Sequence, residues 1–215
     1  MVTLDLGKPA DDSGPFLILR AKAIDQYAQM ESSLSILYSV LLKTDMDTAA
    51  IVFFRIANTR ARNRIAEELL KKRFRDRFSH YWFGIPSTPN KRGLMTLIND
   101  LDAQRNEIVH WHVMTTINTD TDARTTTLTP PNFWADGRGK AKTIEHLAAF
   151  LGKASFVSQS IMMFCAHHGS FENPVPLTDA WRDIYQRPCV YPPPNNHPLS
   201  PTNEAPQTPP QSSEA

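Results

Sequence analysis

AQRNEIVHWHV, residues 103–113, sets an arginine, an asparagine and two histidines inside a stretch that otherwise reads as the end of a buried helix. Leu94, Leu97, Ile98, Leu101 and Ile108 recur at three- and four-residue steps, the period of a helix with one apolar face, and predict a helix ending near Trp111. A step of four from Leu101 lands on Arg105, so a permanent charge falls on the apolar stripe, while Asn106 and His110 share a neighbouring face. A guanidinium on a packing face needs a carboxylate, a phosphate or a second subunit.

The rest of the chain supplies the frame. Pro15 suits the first turn of a helix, with Ser13 or Gly14 nearby as a cap. Ile24, Tyr27, Leu34, Tyr38 and Leu41 then carry an amphipathic helix to about Lys43. KTDMDT interrupts the pattern, and Asp47 or Thr48 can cap a second helix. That helix keeps its period through Ile51, Phe54, Ala57, Ala61, Ile65 and Leu69 toward Phe78, before the loop FGIPSTPN. After the motif helix, a β-branched stretch predicts a hairpin of residues 113–118 with 124–128. ADGRGK is loop. Thr143 caps a fourth long helix carrying Leu147, Phe150, Leu151, Ala154, Val157, Ile161 and Phe164, closed by Gly169.

The expected fold is therefore all-α: a four-helix up-down bundle, residues 15–172, with a small hairpin inserted before the last helix. A flexible lead of residues 1–14 precedes it. Residues 173–215 are expected to form one short helix in LTDAWRDIYQR and then a disordered Pro-rich tail beyond Arg187. That tail is either a solvated extension or a polyproline segment for a partner.

Composition narrows the function classes. In 215 residues, 23 Lys+Arg against 22 Asp+Glu leave a formal net charge of +1, which excludes bulk-charge adhesion to nucleic acid but not a local basic patch. Cys165 and Cys189, without metal-type spacing, support neither a disulfide framework nor a zinc site. The adjacent His167 and His168 of FCAHHG point about 100° apart on a helix and share an ion poorly. The N-terminal residues lack a signal-type apolar core, and no run approaches the roughly 18 uninterrupted apolar residues of a membrane span. The expectation is a soluble, cytoplasmic protein with no membrane partner.

Glu31 lies between Tyr27 and Leu34 on the first helix's stripe, so a buried Glu31–Arg105 pair that aims the guanidinium is expected. On these residues the chain resembles the HEPN superfamily. RNEIVH, Arg105 to His110, looks like that family's Arg-(Asn/Asp/His)-x-x-x-His signature, and the order of helices over residues 16–168 is similar. RDRFSH, Arg75 to His80, also fits, but within the basic run KKRFRDR.

The resemblance implies a metal-independent endoribonuclease acting as a homodimer, with both motifs lining one cleft, as a toxin (with an antitoxin protein as partner) or a defence effector. His110 would assist attack of an RNA 2′-OH or protonate the leaving 5′-oxygen, Arg105 would hold the phosphate, and Asn106 would orient the imidazole or the phosphate. No cofactor and no metal are implied. The residue-level alternative is a non-catalytic helical module that binds a nucleotide, nucleic acid or protein, with Arg105 and His110 structural. Arg60 and Arg64, one turn apart, are candidate RNA-backbone contacts or a solvated face paired to Glu67 and Glu68. His112 reads as a surface residue, and Trp111 as packing under the hairpin.

Overall fold

The computed structural model describes residues 13–86, 92–121, 123–131, 140–169 and 175–201. The first helix, α1 (Ser13–Leu42), buries Tyr27, Leu34, Tyr38 and Leu41 as its period requires, together with Phe16, Ala23, Met30 and Leu37. Ile24 lies at the edge of that stripe and is exposed. Lys43, in the left-handed region at φ 57°, ends the helix.

The second helix departs from expectation. Its cap is Asp45, not Asp47 or Thr48: Asp45 is extended, and its Oδ1 accepts the Thr48 N–H at 2.8 Å. The helix is also not continuous. It divides into α2 (Met46–Arg55) and α3 (Thr59–Phe74), and beyond its expected end a single further turn, α4 (Ser79–Phe83), runs into the expected loop. The first break falls at Asn58, whose side chain accepts the Ala61 N–H at 3.1 Å. Asparagine satisfies a helix start better than it fits a helix interior, and that local preference overrides the apolar period. Both α2 and α3 bury a face other than the expected stripe. Ile51, Phe54 and Ile65 of that stripe are 64%, 54% and 37% exposed, while Phe53, Ala66 and Leu70 turn inward. Arg62 and Asn63 turn inward with them.

The motif helix, α5 (Leu94–His110), starts at Gly93 beside the end of α4. A Cβ on Gly93 would collide with the backbones of Trp82, Phe83 and Gly84, none of which can yield as a side-chain end would. Gly93→Ala should therefore destabilise the protein by about 1–3 kcal/mol through overpacking, read as a lowered thermal midpoint. An unchanged midpoint would show that these backbones do not meet.

Strands β1 (His112–Ile117) and β2 (Arg124–Thr129) pair antiparallel with Val113 opposite Leu128, within one residue of the expected hairpin. Leu128 is buried and pairs on its other side with Lys142. The next helix, α6 (Ile144–His168), has Thr143 as its cap, whose N–H donates to His146 Nδ1 at 3.2 Å. Leu147, Phe150, Ala154, Val157, Ile161 and Phe164 all enter the core, where α6 packs along α1. Among the described residues, α6 is the one helix long and apolar enough to cross a membrane by length and composition. Half of its most apolar window is buried against the rest of the protein, as in a core helix.

A last short helix, α7 (Asp179–Ile184), lies in the expected segment. The expected disorder beyond Arg187 does not hold for residues 188–201, which pack against α6. Cys189, His197 and Ser200 are buried. The His197 ring stands 5.3 Å from Phe156 and 5.7 Å from Trp181, and Tyr191 stands 5.6 Å from Phe156. Prolines have little backbone freedom to lose, so a few aromatic anchors order the segment. Residues 202–215 and 1–12 lie outside the described residues, as does most of ADGRGK.

The histidines of this end make acid a stress. Burial pushes His197 down to about 4, and burial, then His167 and Arg77, push His168 down to about 4. Both are neutral in the fold, and an unfolded histidine titrates near 6.5. Their contribution is complete above about pH 6.5 and is lost as pH falls toward 4. The denaturation midpoint should fall across that window, and less steeply in His168→Phe. Identical pH profiles for the two proteins would remove His168 from this account.

Candidate functional site

The polar residues of α5 form a row of their own. Asn99, Asp102, Asn106 and His110 stand at steps of three, four and four, turned away from the stripe of Leu94, Ile98, Leu101 and Ile108. The row runs along a seam where α5 meets α1 and α3.

At the buried end of the seam, Asp102 accepts two short bonds, from Tyr27 Oη and from Asn63 Nδ2, both at 2.6 Å. Asn63 Nδ2 also donates to Asn99 Oδ1 at 2.8 Å. Burial raises the Asp102 carboxyl above the usual carboxylate range, and the bonds from Tyr27 and Asn63 offset part of that rise. Burial and the Asp102 partner likewise push the Tyr27 phenol far above its ordinary value. Beside them Arg62 donates to Glu31 Oε1 at 2.6 Å and to Thr59 Oγ1 at 3.2 Å, with its guanidinium 4.6 Å from the Phe53 ring centre. Tyr38 Oη donates to the Arg62 carbonyl at 2.6 Å.

Glu31 is therefore the partner of Arg62, and the expected Glu31–Arg105 pair is not formed. Helix direction supplies the reason. Arg20 meets the carbonyls of Ile108, Val109 and Trp111, while Tyr27 meets Asp102, so α1 and α5 run antiparallel. Arg105 then lies level with the α1 residues ahead of Tyr27, and Glu31 is a full turn beyond. The break before α3 delivers Arg62 to Glu31 instead.

Arg105 is held differently. Its guanidinium lies over Tyr27, 5.6 Å from the ring centre, and one Nη donates to the Asn106 side chain at 3.3 Å. The residue is half-buried, its Nε is buried without a partner, and no carboxylate among the described residues pairs with it. Asn106 and His110 are exposed. His110 is the last residue of α5, where Arg20 closes the carbonyls of the final turn at 2.9, 3.0 and 3.3 Å. The seam thus has a closed end, where Arg62 is paired with Glu31 and Asp102 with Tyr27 and Asn63, and an open end bearing a cation, an amide and an imidazole.

The other candidates stand apart from this seam. Arg60 and Arg64 are exposed on the outer side of α3, opposite the Arg62–Asn63 face. Arg64 pairs with Glu68 at 3.5 Å, with side chains 82% and 68% in water, a pair that contributes little. RDRFSH is not on one helix: α3 ends at Phe74, Arg75 and Phe78 have positive φ, and α4 begins at Ser79. His112 opens β1 and is exposed, while Trp111 is partly buried with Lys142 Nζ 5.6 Å from its ring centre. His167 Nδ1 shares a 2.8 Å hydrogen bond with Tyr185, and the His168 ring packs between Phe78 and Phe164. Among the described residues no three His, Cys, Asp or Glu side chains converge as a metal site would require.

Arg20, Arg62, Asn63 and Asp102 are the site residues that sequence reasoning missed. The signal for Arg20 was available, since Arg20, Tyr27 and Glu31 share a face of α1 at steps of seven and four. Asp102 was equally readable, four residues before Asn106. Arg62 and Asn63 carried no such signal, because their inward turn depends on the break at Asn58.

No family model, no curated protein and no solved structure matches this chain.

Proposed function

We propose that the open end of the α5 seam is the reacting face of a HEPN-like, metal-independent endoribonuclease. In this reading α1, α3, α5 and α6 are the four-helix frame, and two copies face each other across the Arg105–His110 face. The observation that supports it is the state of Arg105: a half-buried guanidinium set on Tyr27, engaged by no carboxylate among the described residues, beside an exposed Asn106 and His110. Such a group has donors left for a phosphate. The exposed Leu17, Ile18 and Ile24, on the half of α1 nearest His110, are apolar surface suited to the second copy.

The chemistry is set by the residue types. The 2′-oxygen attacks the adjacent phosphorus, the bond to the 5′-oxygen breaks, and the products are a 2′,3′-cyclic phosphate and a 5′-hydroxyl. His110 either takes the 2′-hydroxyl proton or returns one to the 5′-oxygen, Arg105 binds the anionic phosphate oxygens, and Asn106 orients one or the other. A toxin held by an antitoxin, or a defence effector, is the setting such an activity fits.

The test is cleavage of a labelled mixed-sequence RNA in EDTA by the wild type and by Arg105→Ala, both shown folded by circular dichroism. Cleavage by the wild type alone, leaving cyclic-phosphate ends, is expected. Equal cleavage by both would sink the motif. No cleavage by either, with RNA still bound, would assign the face to a binding module.

A further inference from the structure

A second site lies at the other end of the molecule. Glu107 pairs with Lys142 at the start of α6, whereas Phe78 packs on Phe164 and His168 near its end. Twenty helical residues separate Ile144 from Phe164, about 30 Å at 1.5 Å per residue. There the turn between α3 and α4 faces α7 across a cleft of about 540 Å³. Arg77 lines it from the turn, Ser79 and His80 from the start of α4, and Arg182 from α7. Leu177, Phe78 and the buried Tyr185 form its apolar floor.

The charge is one-sided. Asp76 is the single carboxylate among the lining residues, against two guanidiniums. Lys71, Lys72, Arg73 and Arg75 immediately upstream raise the positive potential further. Asp179 pairs with Arg182, but its side chain is 95% exposed, so water screens the pair and the guanidinium keeps donors for a ligand. The turn is also held in shape: Arg75 and Phe78 adopt φ of 52° and 63°, and Phe78 is clamped among Phe74, Phe164 and Tyr185. Arg77, 5.0 Å from the Phe78 ring centre, is thereby presented at the cleft on a fixed base.

We infer that this cleft binds a phosphate monoester of nucleotide size. Two guanidiniums lining one cleft favour a doubly charged phosphate monoester over a singly charged carboxylate. The volume matches a small-molecule cleft of nucleotide size rather than a groove that tracks a nucleic-acid backbone. The site does not depend on the reading of the Arg105 face.

The experiment is calorimetric titration of the full-length protein with AMP. AMP should bind, adenosine should not, and inorganic phosphate should bind more weakly than AMP. Arg77→Ala and Arg182→Ala should each weaken AMP binding about tenfold, since each removes charge-assisted bonds. His110→Ala, at the far end, should bind AMP as the wild type does. Because Arg77 and Arg182 are exposed, the variants should keep the wild-type circular dichroism; Arg182→Lys, which keeps the charge, should retain part of the affinity. Absence of AMP binding, or wild-type affinity in both alanine variants, would overturn the site. Inorganic phosphate binding as tightly as AMP would overturn the nucleotide size.

Discussion

On the proposed ribonuclease reading, His110→Ala should lower the rate of RNA cleavage by about 10²–10⁴-fold, the usual contribution of a positioned general acid or base. The effect should be confined to chemistry. His110 is exposed at the end of α5, so its removal opens no cavity and orphans no buried partner. The structural loss is limited to an exposed side chain at the end of α5, where substitutions change stability little. Cleavage and unfolding should therefore separate: activity collapses while the denaturation midpoint barely moves. RNA affinity should also persist, because Arg105 and the Tyr27 platform are untouched. Full activity in His110→Ala would show that another face reacts.

Glu31→Ala should have the largest effect on stability, about 3–5 kcal/mol. The side chains of Arg62 and Glu31 are 10% and 19% exposed, and they meet at 2.6 Å. Removing the carboxylate leaves a guanidinium buried against Phe53, with Thr59 as its remaining polar side-chain partner. That is far costlier than the net worth of the pair, because each ion lost its water on folding. Glu31→Gln keeps an acceptor and should lose less. Arg62→Met combined with Glu31→Leu removes both charges and should recover most of the loss or all of it. Urea denaturation measures the series: the midpoint should fall in Glu31→Ala with an unchanged slope. A wild-type midpoint would mean that the pair carries no weight. Cleavage distinguishes this structural role from the aiming role first expected for Glu31. On the proposed reading, folded Glu31→Gln should cut RNA at the wild-type rate, since Arg105 rests on Tyr27 and Asn106 instead.

Much of this molecule was readable in its residue order because its signals are local. The helical period of α1, α5 and α6, the Thr143 cap, the two strands of the hairpin and the shared face of Asn106 and His110 each involve residues within a few positions of one another. Local propensity and period suffice for such features. The inward turn of Arg62 and Asn63 was not readable. It stems from a break at Asn58 whose consequence, the face that α3 buries, appears only when α1 and α5 are present to receive it. The same holds for the ordered segment 188–201, whose composition reads as disorder until Phe156 and Trp181 offer it a surface. The partner of Arg105 is the clearest case. The spacing from Leu101 is enough to put a charge on the packing face of α5, whereas the antiparallel run of α1 brings that charge to Tyr27 and not to Glu31. Which side chains stand level across two helices depends on their direction and offset, and no periodicity within either helix contains that information.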